Sequence, residues 1–172
     1  MKPKKRYKFL RTGLTSHYGE HKWKMNKWYT VDKDKLCMCE NGFHCSTKII
    51  DAFNWVQGEW LCVVEVKGVS IIEECKECWS EMRIVEKHRW AKKDSVKLAI
   101  FAAEQCLKYF KEEYPDDKRP REAIEAAKRW LKNPTAKNRE AAGNTREAAW
   151  SAGNAAWSAL EKYLHQRLEE RR

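Results

Sequence analysis

The stretch Trp60-Leu-Cys-Val-Val-Glu-Val-Lys67 is the strongest strand candidate in the chain. Its β-branched, aromatic and apolar residues are typical of a buried strand, and Gly68 predicts where the strand ends. Shorter segments of similar character lie on both sides of it, at residues 7–10, 27–31, 69–72 and 82–85. Together these segments predict a small sheet, which we expect to be mostly antiparallel.

One short helix is predicted within this first half, over residues 47–57. Ser46 or Thr47 can cap its start, Ile50 and Phe53 fall on one side, and Gly58 would end it.

Beyond residue 92 the pattern changes to helices. Asp94-Ser95 can cap the first, Pro120 suits the start of the second, and the third begins near Thr135. Trp150 and Trp157 are seven residues apart in an alanine-rich segment, which predicts that they pack on one buried helix face. The expected fold is α+β: the sheet with its short helix over 1–92, then a three-helix bundle rich in alanine and tryptophan over 93–172.

Composition narrows the possible classes. The 172 residues are 42% hydrophobic and 35% charged, which excludes a low-complexity or wholly disordered chain. No apolar run approaches the length of a membrane span, and the start lacks the apolar core of a signal peptide. The expectation is a cytoplasmic protein with no membrane association.

Positive charge is concentrated at the start of the chain. Residues 1–35 contain 11 Lys and Arg against three Asp and Glu, within a net charge of +10. Cations and aromatics alternate there, as on surfaces that bind single-stranded nucleic acid. The candidate polyanion-binding residues are Lys22, Trp23, Lys24, Lys27 and Trp28. The alternatives are a solubilising, partly frayed N-terminus and tryptophans that belong to the core.

Seven cysteines raise the question of zinc. Thiolate and imidazole ligands in two close pairs are the usual pattern of a structural zinc site. The candidate ligands are Cys37, Cys39, Cys45, Cys75 and Cys78, with His44 beside them. The alternative is a set of reduced thiols with no metal, in which case the protein has no cofactor.

Two stretches of the second half resemble a known family. They are Ala102-Ala-Glu-Gln-Cys-Leu107 and Asp117-Lys-Arg-Pro-Arg-Glu-Ala-Ile124, followed by the alanine-rich repeat. They resemble the helical domain of immunity proteins from bacterial polymorphic-toxin systems, which implies an interaction domain with a protein partner. Arg119 and Arg121 would then form an anion-binding fork, or close the turn by pairing with Asp116 or Asp117.

The first half resembles, in its layout, the ADP-ribosyltransferase-like fold. Arg11 ends the first strand, a polar segment leads into the helix, and Glu81 begins the last strand. The resemblance implies an NAD-type ligand site formed by Arg11, His44, Ser46, Thr47 and Glu81. Arg83 stands where that family has its catalytic glutamate, so no turnover is expected. Strand alternation also predicts that Glu81 pairs with Arg83.

The segments Gly42-Phe-His44 and Val64-Glu-Val-Lys-Gly68 are similar to an uncharacterised domain of phage and prophage genomes. The function expected from the whole sequence is therefore a non-enzymatic interaction protein of phage or mobile-element type, immunity-like, that binds a protein partner. The alternative is a nucleotide- or nucleic-acid-binding protein with a degenerate ADP-ribosyltransferase-like domain.

Overall fold

A computed structural model describes residues 2–135 and 154–171 of the chain. It divides into two compact units, one comprising Met1–Trp90 and Arg167–Arg172 and the other Ala91–Gln166.

The first unit is built on a five-stranded sheet whose strands pair antiparallel, as predicted. The strands are β1 (Lys4–Leu10), β2 (Tyr29–Thr30), β3 (Phe43–Cys45), β4 (Trp60–Ile72) and β5 (Glu77–Arg89). Their order is β1-β4-β5-β2, and β3 also pairs with β5. Because β1 is an ordered strand, the start of the chain from Lys4 is part of the fold and not a frayed tail.

The end of β3 returns the chain to β1. Ser46 and Tyr7 exchange two backbone hydrogen bonds, both of 2.9 Å. β3 itself pairs with β5, which pairs with β4. Together with the Ser46–Tyr7 bridge, this pairing places residues from β1, β3 and β5 close together.

Three boundaries differ from the sequence-based expectation. β4 does not end at Gly68, because that glycine has a φ of +86° and lies in a bulge, beyond which Ser70 to Ile72 pair with β5 again. β5 begins at Glu77 and is much longer than the predicted segment. Helix α1 (Ile49–Trp55) begins after Lys48, because the backbone of Ser46 is already engaged with β1.

Each face of the sheet carries an apolar cluster. One face contributes to a core around Trp23 and Trp79, which are 4% and 2% exposed; its other members include Leu10, Cys62, Val64, Val66, Met82 and Ile84. On the opposite face, Phe9 packs edge-on against Phe53 of α1 and against Trp90, with ring centroids 5.5 and 5.4 Å away. This aromatic trio holds α1 on the sheet.

The second unit is helical. Its described helices are α2 (Lys92–Glu113), α3 (Arg119–Lys132) and α4, which spans Asn154–Glu169 and so extends past the division between the units. Asp94 lies in the first turn of α2, not at its cap, and accepts a hydrogen bond of 2.8 Å from the Ala91 amide. None of the helices in the described parts of the chain is long and apolar enough to span a bilayer.

The core between α2 and α3 is formed by Ile100, Ala103, Ile124 and Ala127. The predicted packing of Trp150 and Trp157 lies outside what the structure describes: Trp150 is not among the described residues, and of Trp157 only the helical backbone is described.

Candidate functional site

Two of the residues expected to form a nucleotide site, Arg11 and Glu81, lie far apart along the sheet. Arg11 follows Leu10, which aligns through Trp60 with Arg89 of β5. Glu81 is eight residues from Arg89 along the same strand. At about 3.3 Å per residue, Arg11 and Glu81 are separated by roughly 25 Å along the strand direction. The structure does not bring them together around one ligand.

The other three members of that set have local structural contacts. The His44 ring accepts a 2.9 Å hydrogen bond from the Cys39 amide. Ser46 is buried, and its hydroxyl donates a 2.8 Å bond to the carbonyl of Cys75. Thr47 is exposed just before α1. Arg11 itself bonds to His17 at 3.1 Å.

Glu81 and Arg83 do not pair with each other, so that expectation is wrong. Each pairs across the strands with the residue directly opposite: Glu81 with Lys67 at 3.2 Å and Arg83 with Glu65 at 2.6 Å. Cross-strand neighbours on one face lie closer than residues two apart in a strand. We call these two ion pairs the charge ladder. The ring of Trp28 covers it, with its centroid 4.5 Å from Lys67 Nζ and 4.9 Å from the Arg83 guanidinium carbon.

The five candidate polyanion-binding residues differ in how accessible they are. Trp23 is 4% exposed and its indole nitrogen donates to Ser16 Oγ at 2.8 Å, so it cannot serve as a stacking platform. Trp28 is partly buried against the charge ladder. Lys22, Lys24 and Lys27 are exposed, and Lys27 Nζ lies 5.1 Å from the Tyr29 ring centroid. The lysines of the predicted surface remain available, whereas the tryptophans are used by the fold.

The five candidate zinc ligands do not form a metal site. Among the described residues, which include all five, no three His, Cys, Asp or Glu side chains are grouped so that they could hold a metal ion. Cys45 and Cys78 are buried and Cys75 is half-buried, whereas Cys37 and Cys39 are exposed. Burial raises the pKa of Cys78 to about 11, and that of Cys45 further, so both remain thiols near neutral pH.

An aromatic cluster inside the first unit was not predicted. The His21 ring lies 4.8 Å from Trp23 and 4.6 Å from Tyr29, measured between ring centroids, and Phe43 packs against Trp23 at 5.2 Å. Beside it, the Lys8 ammonium donates to the His44 carbonyl at 2.7 Å, and burial lowers the Lys8 pKa. Strand alternation places Lys8 on the same face as buried Leu10. The sequence pattern could therefore have indicated that Lys8 faces the core.

Two histidines of this unit make its stability depend on pH. Burial lowers the pKa of His21 and of His44, and His44 must stay neutral at Nε2 to accept from Cys39. The unfolded chain therefore binds protons more readily, and the unfolding free energy should fall as the pH drops below about 6.5. Urea unfolding between pH 7.5 and 5.5 measures this. His44→Gln should reduce the slope and His165→Gln, in the other unit, should not; equal slopes in all three proteins would contradict the assignment.

In the helical unit, the stretch Asp117–Ile124, which resembles the immunity-protein family, forms the turn into α3 and its first residues. Arg119 pairs with Asp117, with Nε to Oδ1 at 2.9 Å, which lowers the Asp117 pKa. The expectation that an arginine closes the turn by pairing with an aspartate, and does not form an anion-binding fork, is thus confirmed for Arg119. Arg121, Glu122, Arg129 and Lys132 are exposed along α3, while Lys128 bridges Glu104 of α2 and Glu125. The exposed side of α3 is therefore strongly charged and predominantly cationic.

Comparison with known proteins divides the chain in a similar place. A family model described as "Domain of unknown function (DUF7666)" matches residues 4–94, more than half of the chain. A second, described as "Imm-5 like putative immunity protein", matches residues 88–166 and so spans α2, α3 and most of α4. No curated protein and no solved structure matches.

Proposed function

Because the chain belongs to the DUF7666 family and carries an Imm-5-like domain after that region, we propose that it is a non-enzymatic immunity protein that binds a toxin. The observation that carries this proposal is the Imm-5-like match over the helical unit. We also propose an origin in phage or another mobile element, from the resemblance of Gly42-Phe-His44 and Val64-Glu-Val-Lys-Gly68 to a phage and prophage domain. The separation of Arg11 from Glu81 supports a role without catalysis.

The charge of α3 indicates what kind of toxin surface it would meet. Its exposed side includes Arg121, Arg129 and Lys132. Complementary charge speeds association and suppresses wrong partners. The favoured partner is therefore a toxin domain with an acidic patch, bound through α3.

The proposal is tested with a panel of toxin domains from bacterial polymorphic-toxin systems, each produced together with this protein. Expression of the full-length protein should restore growth of cells producing one of them, and the two purified proteins should elute as one complex. A chain that binds none of these toxins and restores no growth would overturn the proposal.

Charge reversal on α3 should weaken this complex. Arg121→Glu with Arg129→Glu replaces two exposed cations and should lower the affinity at least about tenfold, since like charges then face each other. The control is Lys24→Glu with Lys35→Glu, which makes the same change of charge in the first unit. Titration calorimetry measures both. Equal weakening by both pairs would mean that overall charge, and not α3, determines the affinity.

A second candidate function rests on the exposed lysines of the first unit. Lys22, Lys24 and Lys27 should give weak polyanion binding that falls steeply between 50 and 200 mM salt, about as expected for counterion release. Changing all three to Ala should remove most of it, measured by fluorescence anisotropy with a labelled oligonucleotide. Because Trp23 is buried, Trp23→Phe should leave the affinity unchanged if the protein stays folded. Absence of binding at low salt would eliminate nucleic acid as a ligand.

A further inference from the structure

A tight turn before β3 contains an exposed cysteine, Cys39, in an unusual backbone conformation. The Cys37 amide donates to the Asn41 carbonyl at 2.8 Å, and the Asn41 amide donates back at 3.0 Å. Cys39 lies at the tip with a φ of +68°, and its own amide is fixed by His44. Its side chain is exposed to solvent.

A lysine is fixed directly against this thiol. Lys76 Nζ lies 3.2 Å from Cys39 Sγ, 3.2 Å from Glu73 Oε2 and 4.7 Å from the ring centroid of Trp55. These three partners leave the Lys76 side chain only 17% exposed. The hydrogen bonds to Cys39 and then to Glu73 raise the Lys76 pKa. Glu73 and Trp55 thus hold the Lys76 amine nitrogen against the Cys39 sulfur.

We propose that Cys39 and Lys76 are a modification site at which hydrogen peroxide links the two side chains through a sulfur–nitrogen bond. The Lys76 amine lies in contact with the Cys39 sulfur, and a cysteine reacts with peroxide in its thiolate form. This inference is independent of the proposed toxin binding, since it concerns residues of the first unit alone.

The reaction balances with one peroxide. The Cys39 thiolate attacks a peroxide oxygen, the O–O bond breaks, and hydroxide leaves, so that sulfur becomes a sulfenic acid. The hydroxide takes the extra proton of Lys76 and becomes water. The neutral amine attacks the sulfenic sulfur, an S–N bond forms and the S–O bond breaks. The departing hydroxyl takes one proton from the attacking nitrogen and leaves as a second water. Sulfur loses two electrons to the peroxide, and the product is a sulfenamide.

The other thiols of this unit are less suited to the reaction. Burial raises the pKa of Cys62 to about 12 and that of Cys78 to about 11. Cys37 is exposed, but desolvation and then the neighbouring Glu40 raise its pKa as well. Lys76 immediately precedes β5, so the link would fasten the turn over 37–41 to the start of that strand.

Peptide mass spectrometry of the full chain after one equivalent of hydrogen peroxide tests the proposal. We expect a peptide joining Cys39 to Lys76, about 2 Da lighter than the sum of its parts and released by dithiothreitol. Lys76→Arg keeps the positive charge but removes the amine nucleophile; it should lower the yield of the link at least about tenfold and leave Cys39 trapped as its dimedone adduct. Cys37→Ser and Lys48→Arg are the matched controls and should keep the link.

Two results would overturn the inference. One is a Cys37–Cys39 disulfide as the main product of the wild-type chain. The other is oxidation of Cys39 directly to sulfinic acid with no joined peptide while Lys76 is present.

Discussion

Glu77→Gln should lower the unfolding free energy of the first unit by about 3–5 kcal/mol, the cost of leaving a buried charge without its partner. Glu77 is 3% exposed, and its Oε2 accepts from Arg6 Nε at 2.7 Å and from Trp79 Nε1 at 2.6 Å. The carboxylate therefore ties β1 to β5 inside the sheet. Glutamine keeps the size of the side chain but removes the charge that balances Arg6.

Glu81→Gln is the matched control for this prediction. Glu81 also pairs with a cation across the strands, but the pair with Lys67 is partly solvent-exposed, so its loss should cost less than about 1 kcal/mol. Urea unfolding monitored by tryptophan fluorescence compares the two. If the two variants unfold at the same urea concentration, the buried pair is not a main support of the sheet.

Gly58→Ala should destabilise the same unit by about 3 kcal/mol, because the new methyl group has no room. A Cβ built at Gly58 would lie 2.3 Å from the carbonyl oxygen of Leu10 and 2.7 Å from its carbonyl carbon. Both are backbone atoms at the end of β1, so relief requires the strand itself to move. The connection from α1 to β4 runs directly against this backbone, so only a residue without a Cβ fits there.

Gly19→Ala separates steric exclusion from backbone strain. Gly19 has a φ of +72°, but a Cβ there would meet nothing within 4 Å. Its substitution should cost only about 1 kcal/mol, from the left-handed conformation alone. A Gly58→Ala protein that is as stable as Gly19→Ala would contradict the close packing against Leu10.

The sequence was sufficient to predict elements that have strong local signals. The apolar segment from Trp60, the apolar side of α1 and Pro120 at the start of α3 each identified an element of the correct type. The start of β5 was missed because Glu77 is an acidic residue, and its burial depends on Arg6, 71 positions away. The sequence cannot distinguish a strand end from a bulge at Gly68, because a bulge and a turn require the same conformational freedom.

The candidate site was harder to predict, because it depends on strand register. The separation of Arg11 from Glu81 follows only from the alignment of three strands, which local patterns do not specify. The same limit applies to Trp23, whose burial depends on packing against β4 and β5. The contact between Cys39 and Lys76 joins two loops far apart in the chain, and no spacing rule indicates it.

Hydrogen–deuterium exchange of the full chain, alone and mixed with a toxin domain that it is found to bind, tests the central proposal most directly. If the Imm-5-like domain forms the toxin-binding surface, protection should increase in α2, α3 and the described part of α4, with the largest change along α3. Residues 4–90 should exchange as they do in the free protein. Protection confined to residues 4–90, with no change in the helices, would show that the toxin binds the DUF7666 region and would contradict the proposal.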